Sequence, residues 1–291
     1  MRRDMSRIAL ITPSYAPDFD RCRILCDSVE RFLCGHDEHL IIVDRQDRAL
    51  FSRLVTARTR LLLKEEILPG WLHKIPFSRK WWLNLHGLPV RGWILQQIVK
   101  LSVAEAIDAD LFVFADSDVV FIRPFDCADV LDAQGRARLY AGPRKPEDIA
   151  DPRHRAWYRF AGKLFGLSGE GFQQHDYISQ LVVWRRDTLE QLTSRIAAQA
   201  GRSWQRVLAN TLDFSEYELY GIFAEHVLGA HSGHFLTDTE LSYCSWHHPI
   251  SSREDLLGFL RDIPDRYPAV LIQSNLGMEP ADYARILGQL E

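Results

Sequence analysis

Two kinds of hydrophobic pattern alternate in the N-terminal part of the chain. Residues 7–12 form a short apolar run that ends at Pro13, which is typical of a strand buried on both faces of a parallel sheet. From about residue 20 to residue 33 the apolar positions recur every three or four residues, and this spacing predicts an amphipathic helix that ends at Gly35. Residues 39–44 repeat the strand pattern. A strand, a helix and a strand in this order predict a βαβ unit and hence a parallel, Rossmann-like sheet.

The clearest strand signal lies further along the chain. Apolar residues at helical spacing, with Gln97 and Lys100 off the apolar stripe, predict a helix over residues 93–108. The uninterrupted apolar run 111–115 predicts a strand that ends directly at Asp116-Ser117-Asp118. Open α/β sheets bind their ligands outside the carboxyl ends of the strands. The pattern therefore predicts two carboxylates at the binding edge of the sheet.

Later hydrophobic runs are shorter and extend the same α/β pattern. We predict strands over residues 180–184 and 269–272, and helices over residues 187–200, 204–210 and from about 215 onward. The run 61–63 is ambiguous between strand and helix. Residues 71–92 are aromatic and basic, and residues 142–176 are rich in Gly, Pro, Arg, His and aromatics. We interpret the first segment as a long functional loop and the second as a mobile substrate region.

Composition narrows the functional classes. The 291 residues carry 35 Lys and Arg against 39 Asp and Glu, a formal charge of −4, so no basic footprint indicates a nucleic-acid partner. The five cysteines form no CxxC pair, which argues against a disulfide framework or a zinc knuckle. The basic start is followed by only about five apolar residues, too few for a signal peptide or a membrane span. We expect a cytoplasmic protein without a membrane span.

The Asp116-x-Asp118 pair predicts a metal site. Two carboxylates on a tight turn are hard oxygen ligands, and Mg²⁺ or Mn²⁺ usually takes one or two such ligands together with phosphate oxygens and waters. The same pattern also occurs in ordinary surface turns and helix caps. The buried strand before the pair and the apolar continuation after it favour the metal site, with Asp116 and Asp118 as ligands.

The segment from Phe114 to Val119, Phe-Ala-Asp-Ser-Asp-Val, resembles the DxD motif of GT-A glycosyltransferases. Other segments are similar to a bacterial family of that kind, which is catalogued as a domain of unknown function: residues 11–15, 92–101, 180–185, 215–221 and 273–276. The resemblance implies a single GT-A-like domain over residues 1–291, in which 1–125 bind the nucleotide sugar and 126–291 form the acceptor side. It also implies an α/β fold with a mostly parallel central sheet and helices on both faces.

The activity implied by the resemblance is metal-dependent sugar transfer from a nucleotide-sugar donor. A uridine diphosphate sugar is the expected donor, and the acceptor is an unknown carbohydrate, lipid or peptide. Mn²⁺ or Mg²⁺ would stabilise the charge that develops on the leaving diphosphate. The residues after the first two strands are expected to line the nucleoside pocket. The candidates for donor binding are Thr12, Pro13, Ser14, Tyr15, Asp44, Gln97, Lys100, Asp116 and Ser117.

Three further residues are candidates for catalysis or metal binding. Glu216 is expected at the start of a helix, where a carboxylate can take the proton of an attacking acceptor hydroxyl, and Asp176 is the alternative base. Acids at a helix start also have a purely structural interpretation, because they stabilise its N-terminus. His247 is a candidate third metal ligand, whereas lone histidines more often pack or hydrogen-bond.

Two other functional classes stay open at this point. An apolar strand before Asp116-x-Asp118 also matches the nucleophile loop of haloacid-dehalogenase phosphotransferases, with Asp116 as the nucleophile. The preceding βαβ unit and the lack of a later Gly-Asp-x-x-x-Asp motif count against that class. The third class is a module that binds a nucleotide or a carbohydrate without turnover, because a fold does not by itself dictate catalysis.

Overall fold

The structure is a computed structural model that describes residues 6–76, 78, 80–145, 149–169, 171–245, 250, 252–273 and 280. The strands, numbered in chain order, are β1 (Ile8–Pro13), β2 (Leu33–Cys34), β3 (Glu38–Val43), β4 (Thr59–Leu63), β5 (Leu72–Lys74), β6 (Trp81–Asn84), β7 (Val90–Arg91), β8 (Leu111–Phe114), β9 (Val119–Phe121), β10 (Phe125–Asp126), β11 (Ala137–Tyr140), β12 (Gly142–Pro143), β13 (His175–Asp176), β14 (Val182–Arg185), β15 (His234–Thr237), β16 (Ser242–Cys244) and β17 (Ala269–Leu271). The α-helices are α1 (Phe19–Phe32), α2 (Arg48–Phe51), α3 (Lys64–Ile67), α4 (Gly92–Ala106), α5 (Pro152–Phe165), α6 (Arg186–Ala200), α7 (Trp204–Ala209), α8 (Glu216–Ile222) and α9 (Arg253–Arg261). A π-helix, Phe223–Leu228, continues α8.

The central sheet has five strands in the order β14-β8-β1-β3-β4. Strands β8, β1, β3 and β4 run parallel, and β14 pairs antiparallel with β8 at one edge. The chain passes from β1 through α1 to the adjacent strand β3, so the predicted βαβ unit is present. The ambiguous run 61–63 belongs to β4, where it extends the sheet beside β3. The prediction of a mostly parallel sheet is confirmed.

Side chains alternate between the two faces of this sheet, as the pleat of a strand requires. In β1, Ala9 and Ile11 belong to one hydrophobic core, whereas Ile8 and Leu10 belong to another. Helices α4 to α8 cover the first face, and α1 packs on the second. Helices on both faces are therefore confirmed, and they explain why the central strands are continuously apolar.

Helix α4 is buried on almost all sides. Helices α6, α7 and α8 all pack against it, and α8 supplies residues that contact Gln97 and Lys100. Gln97 and Lys100, which lie off the apolar stripe, are each only 2% exposed. The stripe suggested a polar outer face for this helix, but a second layer of helices covers that face. Lys100 is consequently an interior cation.

Both segments that we interpreted as loops contain regular structure. Residues 71–92 include β5, β6 and β7, which form a separate three-stranded antiparallel sheet. Residues 142–176 include α5, whose first turn is capped by the Asp151 carboxylate accepting from the Arg153 backbone N–H. Tyr158 and Phe165 of α5 are buried in the main core. The interpretation of the second segment as a mobile region is wrong for α5, because its apolar face completes that core.

The predicted last strand is β17, and it returns to the DxD region. It pairs antiparallel with β9, the continuation of the motif, and parallel with β16. The backbone N–H of Ile272, just after β17, donates to the carbonyl oxygen of Asp118 at 3.1 Å. The segment after β17 therefore fixes the backbone of Asp118.

None of the helices in the described ranges has the length and hydrophobicity that a bilayer crossing requires.

Candidate active site

A cleft of about 1060 Å³ opens where the parallel strands end. The first polar residue after each of four strands lines its wall, namely Ser14 after β1, Asp44 after β3, Lys64 after β4 and Asp116 after β8. Parallel strands present their carboxyl ends at one edge, so residues far apart in sequence meet there. The cleft therefore lies at the edge that the sequence pattern predicted.

Asp116 is held in a defined orientation at this edge. Its Oδ1 lies 3.1 Å from the Lys100 Nζ, and its Oδ2 accepts from the Gln180 Nε2 at 3.1 Å. The Gln180 Oε1 in turn accepts from the Asp116 backbone N–H at 3.4 Å. One glutamine thus contacts both the backbone and the carboxylate. Asp118, two residues later, is partly exposed on the cleft wall.

The residue after Gln180 has a strained backbone. Leu181 has φ 59°, and among the described residues no other non-glycine residue has a positive φ. For an L-residue with a Cβ this conformation costs roughly 1–2 kcal/mol. Leu181 is also 2% exposed, so its side chain is fixed in the core. The strained turn between Gln180 and β14 directs the glutamine amide at Asp116, and such outliers are concentrated at functional sites.

Lys100 connects Asp116 to helix α8. Its Nζ lies 3.2 Å from the Glu216 Oε1 and donates to the Tyr217 hydroxyl at 2.6 Å. Burial alone would lower the pKa of Lys100, but Asp116, Tyr217 and Glu216 outweigh it and hold that pKa well above its ordinary value. Burial raises the pKa of Glu216, and the charge of Lys100 opposes this only in part. A permanently charged lysine therefore sits directly behind the first aspartate of the motif.

A second charged cluster lies across the cleft. The carboxylate of Asp44 is 2.8 Å from the Lys64 Nζ and 2.7 Å from the Lys74 Nζ. Burial would raise the pKa of Asp44, but Lys64 and then Lys74 outweigh it, so the pKa is lowered. All three residues line the cleft. Two cations around one anion give this three-residue group a net positive charge, while Asp18 and Asp47 also line the cleft.

The start of helix α4 and the small antiparallel sheet complete the cleft. Gly92 and Trp93, the first residues of α4, line it, and so do Trp81 and Arg91 of β6 and β7. The first N–H groups of a helix have no partner within the helix and attract anions. Arg91 lies over the Trp93 ring, with its guanidinium carbon 5.8 Å from the ring centroid. This end of the cleft offers donors, a cation and aromatic surface together.

The structure brings most of the predicted donor-binding residues to the cleft, but not all of them. Those that line it are Pro13, Ser14, Tyr15, Asp44, Asp116 and Ser117. Thr12 is fully buried, and its hydroxyl bonds to His39. The Gln97 Oε1 accepts from the Glu216 backbone N–H at 3.0 Å, so this side chain and Lys100 support the wall from behind. Gln97 and Lys100 therefore position the residues of the cleft wall and do not line the cleft themselves.

The two predicted bases also lie outside the cleft lining. Glu216 is 5% exposed and contacts Lys100, as described above. Asp176, in β13, lies beside the buried Glu218, whose pKa its charge helps to raise. The third predicted metal ligand, His247, lies outside the described residues.

Asp116 and Asp118 fit a divalent cation. Both offer hard carboxylate oxygens on the wall of a cleft large enough for a nucleotide. Within the part of the chain that the structure describes, no group of three His, Cys, Asp or Glu side chains is arranged to hold a metal. Mg²⁺ and similar ions usually use one or two carboxylates and take their other ligands from phosphates and waters. A two-carboxylate site therefore suffices once a diphosphate is bound.

Glu218 is a buried acid whose charge Tyr158 and the backbone of Tyr177 stabilise only in part. It is 1% exposed, and neither carboxylate oxygen has a hydrogen-bond partner of good geometry among the described residues. Burial, and after it the charge of Asp176, raise the pKa of Glu218 well above its ordinary value. The folded protein therefore retains the proton on Glu218 at a pH where the unfolded chain has lost it.

Glu218→Gln is expected to stabilise the protein at pH 8 by about 1 to 3 kcal/mol and to have little effect at pH 4. In the unfolded chain a glutamate has a pKa of about 4.3. The stability that a raised folded pKa contributes is complete below that pH and is lost as the pH rises through the folded pKa. A glutamine keeps the neutral form at every pH. Melting temperatures of both proteins at pH 4 and pH 8 test this, with the exposed Glu190→Gln as control. A difference that does not change with pH would contradict the prediction.

Sequence comparison assigns the chain to a family. A family of unknown function, DUF6492, matches residues 6–248, which is most of the chain. The chain belongs to the DUF6492 family. The sequence resemblance to a catalogued family of unknown function is thereby confirmed. No curated protein sequence matches the chain.

Solved structures similar to this family member include two of the galactosyltransferase LgtC. One is LgtC in complex with donor and acceptor sugar analogues, with 10% identity, 97% of this chain and 95% of that chain covered, and a TM-score of 0.48. The other is an active-site mutant of LgtC, with the same identity and coverage and a TM-score of 0.49.

Three residues that contact Asp44 or Asp116 were not predicted as site residues from the sequence. Lys64 follows β4 directly, so it would have been found if the run 61–63 had been assigned as a strand. Lys74 lies in β5, within the segment interpreted as a loop. Gln180 precedes β14, and a strand that runs antiparallel places its beginning, not its end, at the binding edge. Strand direction is not visible in the hydrophobic pattern, so Gln180 left no signal of its role.

Proposed function

We propose that the chain is a metal-dependent glycosyltransferase that moves a sugar from a nucleotide-sugar donor to an acceptor. The observation that carries the proposal is that Asp116 and Asp118 line a large cleft at the carboxyl ends of parallel strands. A hydroxyl and an aromatic ring, from Ser14 and Tyr15, line the same cleft. Carboxylates, a ring and cations in one concave site match the parts of a nucleoside diphosphate sugar.

The donor would lie across the strand ends. Tyr15 is 43% exposed and lines the cleft, so we propose that the exposed part of its ring stacks against the base, with the Ser14 hydroxyl beside it. Lys64 and Lys74, which flank Asp44, and the N-terminus of α4 would attract the phosphates. A uridine diphosphate sugar is the donor that we propose.

Asp116 and Asp118 would hold Mn²⁺ or Mg²⁺ against the diphosphate. When bound, the cation supplies positive charge to the leaving group. Gln180 and Lys100 fix the Asp116 carboxylate through contacts of 3.1 Å each, so the ligand is oriented before the donor arrives. Preorganised groups of this kind lose little energy to rearrangement during the reaction.

Glu216 has surroundings that favour a supporting role over that of the general base. A base must reach the acceptor hydroxyl within hydrogen-bond distance. Glu216 is 5% exposed, does not line the cleft, and contacts the Nζ of Lys100 at 3.2 Å. We therefore assign to Glu216 the task of holding Lys100 behind Asp116. Asp176 does not line the cleft either, so we propose no proton acceptor on the acceptor side.

Titration calorimetry with uridine diphosphate tests the proposal. With Mn²⁺ present, we expect the affinity for uridine diphosphate to be at least about tenfold higher than with a chelator. The reason is that the cation reduces the repulsion between the diphosphate and the two carboxylates. Hydrolysis or transfer of the sugar from a uridine diphosphate sugar would separate an enzyme from a binding module. Equal affinity with and without metal would contradict the assignment of Asp116 and Asp118 as the metal site. A phosphoaspartate trapped on Asp116 with a fluoride analogue would instead place the chain with the phosphotransferases.

Tyr15→Ala is expected to weaken nucleotide binding by about 1 to 3 kcal/mol, the usual value for one base stacked on an aromatic ring. The ring is partly exposed, so its removal should leave the melting temperature nearly unchanged. Calorimetry with uridine diphosphate and Mn²⁺ measures the loss. Tyr15→Phe keeps the ring and should bind within about a few-fold of the unmodified protein. If Tyr15→Ala binds normally, the base lies elsewhere.

A further inference from the structure

The small antiparallel sheet has an unusual outer surface. Ten large hydrophobic side chains are exposed among the described residues, and five of them lie between positions 81 and 93. We call these five the apolar rim, and they are Trp81, Leu83, Leu85, Leu88 and Trp93. Leu85 and Leu88 are 60% and 76% exposed. Clustered apolar exposure on this scale marks an interaction site more often than scattered single residues do.

Two residues of the apolar rim, Trp81 and Leu83, lie in β6, where buried and exposed side chains alternate. Trp82 and Asn84 point inward and are 1% and 3% exposed, whereas Trp81 and Leu83 point outward. The solvent side of a strand with one buried face is normally polar. Here the outward residues, Trp81 and Leu83, are both apolar.

The charged residues of the segment that carries the apolar rim are all basic. No Asp or Glu occurs from position 67 to position 104, although the whole chain carries 39 acidic residues and a net charge of −4. Four basic residues fall between 71 and 93 in the sequence: Lys74, Arg79, Lys80 and Arg91. Lys74 pairs with Asp44 in the cleft, so the positive charge of this surface is attributed to Lys80 and Arg91. Arg91 is exposed and lies opposite Trp81 on the neighbouring strand, and Lys80 is also exposed. The partner of this surface must therefore tolerate both apolar side chains and a concentrated positive charge.

We propose that the apolar rim and its basic neighbours dock the protein on the surface of an anionic lipid bilayer. Tryptophan rings are favoured at the boundary between headgroups and acyl chains, and leucines insert below them. Each Lys or Arg near a negatively charged leaflet adds to the attraction. A second copy of the chain would bring the same positive surface against itself, and like charges at an interface are unfavourable. Phosphates of a nucleic acid would account for the basic residues but not for exposed leucines.

The position of the surface relates it to the cleft. Three residues of this surface or its edge also line the cleft, namely Trp81, Arg91 and Trp93. The three leucines of the apolar rim do not line it; they are Leu83, Leu85 and Leu88. Docking would therefore place the mouth of the cleft beside the lipid headgroups. The leucines can be changed without altering the cleft wall.

Flotation with lipid vesicles tests the proposal. The full chain should float with vesicles that contain phosphatidylglycerol and phosphatidylcholine, bind weakly to phosphatidylcholine alone, and release as salt rises. Leu85→Asp combined with Leu88→Asp should reduce binding by at least about tenfold, since two exposed leucines lose their insertion. Leu236→Asp, at a leucine that is 46% exposed in β15, is the matched control and should bind as the unmodified protein does.

Three outcomes would overturn the proposal. The first is that the unmodified protein does not float with anionic vesicles. The second is that the double variant floats equally well while its melting temperature and its binding of uridine diphosphate are unchanged. The third is that size-exclusion chromatography shows a dimer that the double variant loses, which would assign the surface to a second copy. Lipid binding does not depend on nucleotide binding, so failure of one proposal is distinguishable from failure of the other.

Discussion

Asp118→Asn is expected to abolish the gain in uridine diphosphate affinity that Mn²⁺ provides. Asp118 lines the cleft two residues after Asp116, and asparagine keeps its size while it removes the charge that a hard cation requires. Loss of the metal from a diphosphate leaving group costs several kcal/mol, so sugar transfer or donor hydrolysis should fall by about 10³. Calorimetry with Mn²⁺ and with a chelator measures the first effect, and release of uridine diphosphate measures the second.

A matched variant separates this local effect from a general change in charge. Asp238 is exposed and does not line the cleft, so Asp238→Asn should keep the full metal dependence. The melting temperature of Asp118→Asn should remain close to that of the unmodified protein, because the side chain is partly exposed. A variant of Asp118 that retains metal-dependent affinity would mean that the cation is held elsewhere.

Lys100→Met should destabilise the protein by about 3 to 5 kcal/mol, which is the usual cost of removing one partner from a buried ion pair. Lys100 is 2% exposed, and Asp116 and Glu216 lie 3.1 and 3.2 Å from its Nζ. Methionine fills a similar volume, so the loss reports the uncompensated charge more than a cavity. At about 2 to 4 °C per kcal/mol the melting temperature should fall by about 10 °C.

The double variant Lys100→Met with Glu216→Gln tests the source of that loss. Removing the charge of Glu216 should recover part of the stability, because the buried carboxylate then no longer lacks a partner. Lys163→Met, at an exposed lysine of α5, should change the melting temperature little. If Glu216→Gln alone leaves stability unchanged but lowers turnover by about 10² or more, Glu216 is the general base after all. Loss of stability together with retained turnover would support its assignment as the residue that holds Lys100.

The sequence alone determined the elements that build the binding edge. The strands β1, β3 and β8 are buried on both faces, so their sequences contain the short, nearly continuous apolar runs that this environment favours. The helices α1 and α4 between them have a clear helical repeat. Because parallel strands end at one edge, the residues after them could be placed together from the pattern alone. The pattern placed Asp116 and Asp118 at this edge and pointed to Ser14 and Tyr15 at the exit of the first strand, whereas Asp44 was implied by the family resemblance; all five line the cleft.

Only the tertiary structure decided how those residues are held and which side chains surround them. Lys100 is interior because α8 packs over it and brings Glu216 and Tyr217 against its Nζ. Gln180 reaches Asp116 because β14 runs antiparallel to β8, which reverses the end of the strand that meets the site. The pairing of Lys64 and Lys74 with Asp44 depends on β4 and the small sheet meeting at the cleft. Hydrophobic spacing reports which positions are buried, whereas strand direction and contacts between distant elements arise only when the whole chain packs.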